Sequence, residues 1–151
     1  MKKKKKRITF EIPGVMGKQR ARTLKSGRSY TPKKTVDYEK AVREAYIEAG
    51  GTPIDGPVKL DIEAVFRIPE SLPKKKKEEL KGSEPLKRPD VDNIAKIIMD
   101  GLQKNKNDPE KYAFNEDSQV VKLEVEKRYV NEGEAELVRV GVEPYAKRRT
   151  K

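Results

Sequence analysis

Apolar and polar residues alternate at Ile8, Phe10 and Ile12 against Thr9 and Glu11, which predicts a strand over 8–12 that ends at Pro13-Gly14. Residues 15–30 carry glycines and positive charges without an apolar period and read as a long loop. Thr31 as a capping residue, Pro32 in the first turn and Gly50 beyond the end frame a helix. Its expected buried stripe is Val36, Ala41, Val42, Ala45, Tyr46 and Ala49. The clearest strand follows, with Val58, Leu60, Ile62, Ala64 and Phe66 alternating against Lys59, Asp61, Glu63, Val65 and Arg67. A short polar helix starts near Pro73, and a second helix runs from Asp90 to about Lys104. Val120, Leu123, Val125 and Tyr129, then Ala135, Leu137, Val138, Val140 and Val142, read as a closing hairpin around Asn131-Glu132-Gly133. That order of elements predicts a small α+β domain: a mixed four-stranded sheet with helices packed on one face.

A chain of 151 residues without internal repeat or linker is expected to form one domain over 1–151, with basic, disordered tails at 1–7 and 146–151. Cysteine and histidine are both absent, which removes thiolate sites and the commonest general base. Chemistry must then use carboxylates, lysine, arginine, hydroxyls or a metal-bound water. No apolar run approaches the length of a membrane span, and the opening M-K-K-K-K-K-R has no apolar region behind it, so a soluble cytoplasmic protein is expected.

The net charge of +11 suggests nucleic acid, but Lys2 to Arg7 supply six of these charges and Lys147, Arg148, Arg149 and Lys151 four, leaving the body near +1. Segregation is more telling. From Ile12 to Val36 there is no acid, while Lys18, Arg20, Arg22, Lys25, Arg28, Lys33 and Lys34 all fall there. Lys18, Arg20 and Arg22 alternate with smaller residues and can track phosphates, the alternative being a solvated loop.

The candidate chemistry lies in R-P-D-V-D-N-I-A-K, residues 88–96. On a helix, Val91, Ile94, Ala95, Ile98 and Leu102 share one sector, and Asp92, Lys96 and Asp100 take the opposite side. Asp90 at the helix start can act as a cap favoured by the helix dipole, or as a metal ligand. Asp92 is either a second acid favoured by the positive end of the helix dipole, or it adds repulsion that a hard divalent cation compensates, since Mg²⁺ is held by one or two carboxylates together with substrate phosphates. Lys96 can hold a phosphate or pair with Asp92 and Asp100. A further acidic pair, Glu116 and Asp117, stands in N-E-D-S-Q-V-V before the strand at 120.

R-P-D-V-D-N-I-A-K-I-I-M-D-G-L followed by N-E-D-S-Q-V-V resembles the RusA family of Holliday junction resolvases, whose pattern is an Asp-x-Asp-Asn-x-x-Lys helix and a downstream acid-Asp-x-Gln-Val segment. I-P-G-V-M-G-K-Q-R-A-R and S-Y-T-P-K-K-T-V-D-Y are similar to the N-terminal half of many phage-type members. The resemblance implies that Asp90, Asp92 and Asp117 are catalytic and bind Mg²⁺, with Mn²⁺ as a substitute, and that Lys96 is the functional lysine. It further implies a homodimer that makes paired nicks in four-way DNA junctions, with roles in recombination and repair. Ile97 and Met99, at the edges of the apolar stripe, are candidates for the dimer interface or for the monomer core. Two positions depart from the pattern: Pro89 stands where some members carry the arginine before the first aspartate, with Arg88 one place earlier, and Glu116 replaces a frequent aspartate. Arg88 and Lys96 complete the expected DNA contacts. Two other readings stay open: a non-catalytic basic DNA- or RNA-binding protein, which has no use for acids gathered at a helix start, and a Mg²⁺-dependent nuclease with another substrate.

Overall fold

The computed structural model describes residues 7–18, 22–23, 25–27, 29–30 and 32–146; the tail residues 1–6 and 147–151, with Thr31 and Arg20, lie outside them. In chain order the elements are β1 (Ile8–Pro13), β2 (Arg22–Thr23), β3 (Ser29–Tyr30), α1 (Lys33–Glu48), β4 (Val58–Phe66), α2 (Lys74–Leu80), α3 (Val91–Leu102), a 3₁₀ turn (Asp117–Gln119), β5 (Val120–Tyr129) and β6 (Leu137–Pro144). The expected long loop thus contains a two-residue antiparallel pair, Arg22 opposite Tyr30 and Thr23 opposite Ser29.

The main sheet has the order β1-β6-β4-β5. β6 runs antiparallel to both β1 and β4, and β5 pairs with β4 in parallel, from Val58 opposite Val120 to Phe66 opposite Tyr129. The mixed four-stranded α+β architecture is the one read from the sequence, but the closing hairpin is not: β4 lies between β5 and β6. The reason is burial. Val58, Leu60, Ile62, Ala64, Val65 and Phe66 are all buried, so β4 takes the centre, whereas β5 keeps Val121 and Leu123 exposed and takes an edge. Parallel pairing then requires a crossover back to the same end of the sheet, and α3 is the helix of that crossover.

α1 lies over β1, α3 over β5, and the two helices pack on each other. The core they close contains Phe10, Val42, Tyr46, Leu60, Ile94, Ile98, Phe114 and Val140. The buried stripe of α1 differs from the expected one. Val42 and Tyr46 are buried, but Val36 is 46% exposed and Tyr38, Glu39 and Arg43 are inside. The Tyr38 hydroxyl donates to the Gly14 carbonyl at 3.0 Å, which turns this side of the helix toward the segment after β1. On α3 the hydrophobic sector holds, except that Val91 is exposed and Ile97 is fully buried. Ile97 therefore belongs to the monomer core.

The opposite face of the sheet is charged. Arg7, assigned to the tail from sequence, reaches Asp61 at 3.0 Å, and Arg139 bridges Glu11 at 2.9 Å and Glu63 at 2.7 Å. A shallow depression of about 360 Å³ lined by Arg7, Asp61, Glu63 and Arg139 lies on that face, away from the helices and the acidic motif.

Candidate functional site

α3 begins where the sequence placed it. Asp90 is its N-cap residue with an extended backbone, and Asp92 sits in its first turn. The Asp90 carboxylate makes no capping hydrogen bond, so the capping reading of this residue is not what the side chain does. Asp90 and Asp92 are exposed, and among the described residues no lysine or arginine lies within 4.0 Å of either. Two carboxylates at the positive end of a helix dipole, neither paired with a basic side chain among the described residues, are open to a cation.

The segment entering α3 is fixed to the far ends of β4 and β5. Lys87 Nζ lies over the Phe66 ring at 5.6 Å and the Tyr129 ring at 5.7 Å. Lys127 Nζ donates to the Lys87 carbonyl at 2.6 Å and sits over Phe66 at 5.4 Å. Each such contact contributes about 0.5–1 kcal/mol where exposed, so together they hold the strap rather than merely decorate it. Arg88, next along, is exposed, and among the described residues no acid lies within 4.0 Å of it.

After α3 the chain returns through a loop whose anchors are Ala113 and Phe114, both fully buried. Ala113 N–H donates to the Leu102 carbonyl at 2.7 Å and Lys104 N–H to the Phe114 carbonyl at 2.9 Å. Gln119 then pins the 3₁₀ turn. Its amide nitrogen donates to the carbonyls of Ile54 and Gly56 at 2.9 and 3.0 Å, and its amide oxygen accepts from the N–H groups of Asn115 and Glu116 at 2.8 and 3.2 Å. Gln103 accepts the Asp117 N–H at 3.2 Å. Glu116 is engaged locally, accepting from Ser118 Oγ at 3.3 Å.

This scaffold sets Asp117 beside the middle of α3, where Lys96 Nζ lies 3.5 Å from Asp117 Oδ2 and 3.3 Å from Asp100 Oδ1. The Lys96 side chain is 52% exposed, so its ammonium can turn toward a ligand. Of the two pairings expected for Lys96, Asp100 is made and Asp92 is not. Lys96 is six residues beyond Asp90, about 9 Å along the helix axis. Consistent with that offset, among the described residues no three acidic side chains converge closely enough to hold a metal ion. The donor chemistry nevertheless fits a hard cation: every available ligand is an oxygen, and the Asp90 and Asp92 carboxylates are uncommitted.

Lys18 is placed differently from the phosphate contact expected of it. Its Nζ is 2.7 Å from Glu39 Oε2 and 3.0 Å from Asp100 Oδ2, and its backbone N–H donates to the Asn93 carbonyl at 2.9 Å. Burial opposes the charge on Lys18, but hydrogen bonds to Glu39 and Asp100 outweigh it and raise its pKa above the ordinary value. Gly17 makes this docking possible: a Cβ there would stand 2.6 Å from Pro89 Cβ and 3.2 Å from Asn93 Cβ. Arg22 lies in β2, with its side chain outside the described residues. Glu39, Gln103 and Gln119 escaped the sequence reading. Two of them left a signal there: Glu39 as an acid one turn from Val42 and two from Tyr46 on the buried side of α1, and Gln119 as the glutamine of the acid-Asp-x-Gln-Val segment.

A polar helix face carrying two open carboxylates, a lysine bridging to a third across a crossover, and a basic segment seated against the helix start are the features on which known proteins can be compared. The Uncharacterized protein YqaN of Bacillus subtilis (strain 168) is 34% identical over 91 residues, covering 58% of this chain and 59% of that protein; the match thus spans less than two thirds of that relative's length. The sequence pattern of the family described as Endodeoxyribonuclease RusA matches residues 13–141, from the end of β1 to the middle of β6, so that both acidic segments and the basic arm fall inside the match. The chain belongs to the RusA endodeoxyribonuclease family.

Proposed function

We propose that this protein is an endodeoxyribonuclease that resolves four-way DNA junctions by paired symmetric nicks, using carboxylate-bound Mg²⁺ and acting as a homodimer. The observation that carries the reading is the contact of Lys96 with Asp117, which joins the Asp-x-Asp helix to an acid 25 positions beyond Asp92, within a chain of this family. Asp90 and Asp92 would hold the cation, with Asp117 as the third carboxylate. Lys96 would pass from Asp117 to a non-bridging oxygen of the scissile phosphate, which frees the Asp117 carboxylate as substrate enters. When bound, Mg²⁺ supplies a water of lowered pKa and neutralises charge on the leaving oxygen. Histidine is not needed for such hydrolysis, and the chain has none.

Arg88, exposed beside the motif, and the arm with Arg20 and Arg22 would contact the phosphate backbone. Two symmetric cuts on one junction require two copies of this one site, for which a two-fold dimer is the simplest arrangement. Among the described residues no helix is long and apolar enough to cross a membrane, in keeping with a nuclease working on cytoplasmic DNA.

The test compares Mg²⁺-dependent cleavage of a four-way junction, a linear duplex and a single strand of the same sequence. Paired nicks confined to the junction are expected. Equal cleavage of all three would point to a nuclease of other substrate, and binding without cleavage to a basic nucleic-acid-binding protein.

A further inference from the structure

Five charged side chains alternate in sign across the seam between α1, α3 and the 3₁₀ turn: Glu39, Lys18, Asp100, Lys96 and Asp117, with successive N–O separations of 2.7, 3.0, 3.3 and 3.5 Å. Asp100 is the hinge of this series because its two oxygens serve different lysines, Oδ2 facing Lys18 and Oδ1 facing Lys96. The inner end is sheltered, with the Glu39 side chain 11% exposed, and the outer end is open, with Lys96 52% exposed. Lys18 is fixed at both its backbone and its ammonium, to Asn93 and to the two acids.

We infer that Lys18 is a positioning residue for Lys96, acting through Asp100, and not a phosphate contact. The inference rests on the proposed nuclease reading and adds to it the residue that places the lysine. The physical argument is competition. With Lys18 present, the Asp100 charge is shared between two ammonium groups, and Lys96 stays near Asp117 at the open end of the series. Without Lys18, whether Glu39 is charged or made neutral, Lys96 is left as the one ammonium of the series and takes the whole of the Asp100 charge. It is drawn inward along α3 and away from Asp117. The negative side chains facing this series are Glu39 from α1, Asp100 from α3 and Asp117 from the 3₁₀ turn, so the loss of one of two lysines cannot be made up within it.

The experiment uses the full chain with Lys18→Met and, because an unpaired buried Glu39 can compromise folding, with Lys18→Met/Glu39→Gln as well. Supporting parts around a metal site typically alter activity by about 10- to 100-fold, and a loss of that size is expected in kcat at saturating junction for both variants. The salt dependence of junction binding, measured without divalent cation, should keep the wild-type slope, because no phosphate contact is lost. A crystal structure of the double variant should show Lys96 moved away from Asp117. A salt slope reduced by about one, or an unchanged kcat in a folded double variant, or Lys96 still beside Asp117, would each overturn the inference. If the wild-type chain cleaves no junction at all, the nuclease reading fails, and the position of Lys96 in the variant structure decides this inference separately.

Discussion

Replacing Gly101 by alanine tests the seam on which the site is built. Gly101 lies in the last turn of α3, where glycine is unfavourable by about 1 kcal/mol relative to alanine. Helix propensity alone therefore predicts stabilisation. The structure predicts the reverse, because an added Cβ would meet Val42 Cβ at 2.8 Å, the Glu39 carbonyl oxygen at 2.9 Å and Val42 Cγ1 at 2.9 Å. One of these atoms is helix backbone and another is attached directly to it, so relief requires α1 and α3 to move apart. Overpacking of this kind costs about 1–3 kcal/mol. With little freedom to yield, the upper end applies, and the propensity gain leaves a net loss of about 2 kcal/mol. At about 2–4 °C per kcal/mol for a chain of this size, thermal unfolding followed by circular dichroism should show Tm lowered by about 4–8 °C. A Tm equal to or above the wild-type value would refute the close-packed seam. The same separation would pull Glu39 from Asp100, so junction cleavage should fall further than stability alone explains.

Phe114→Ala removes the fully buried anchor of the loop that carries Asp117, and should cost about 3–5 kcal/mol of stability in denaturant unfolding; a loss under about 1 kcal/mol would show that the loop is held by other contacts. Glu134 is held down to about 2 from an ordinary 4.5, first by its hydrogen bonds to Arg128 at 2.6 and 2.7 Å and then by the Asn131 N–H. A depressed carboxylate stabilises the fold above its unfolded pKa and loses that contribution as pH falls through the folded one. The Tm difference between wild type and Glu134→Gln should accordingly be present at neutral pH and close between about pH 4.5 and 2; a pH-independent difference would contradict the pairing.

Local alternation made β1 and β4 legible, and the amphipathic period did the same for α3, because in each case the residues that pack are the residues that set the period. The pairing of β5 was hidden for a different reason. Asn131-Glu132-Gly133 satisfies the local chemistry of a tight turn, and the decision between a hairpin and a parallel crossover depends on which strand can be buried, a property of all four strands together. The face of α1 was misjudged because Tyr38 finds a partner in Gly14 and Glu39 in Lys18, contacts made with residues more than 20 positions away. At the site, Asp90, Asp92 and Lys96 could be read from one helix. The approach of Lys96 to Asp117 could not, since it depends on Gln103, Phe114 and Gln119 folding the intervening loop back along α3. The pairing of Lys18 was not legible in sequence, because a basic run shows its charge but not that Glu39 and Asp100 come within reach of one member of it.

The central claim is that the carboxylates of α3 and Asp117 form one Mg²⁺-dependent cutting site. Its most direct test measures cleavage and binding of a four-way junction side by side for wild type, Asp92→Asn and Asp117→Asn, with cleavage followed in Mg²⁺ and binding without divalent cation. Both variants should lose cleavage while binding the junction as tightly as wild type or more so, because each removes a negative charge that repels phosphate. Wild-type nicking by either variant would contradict the account.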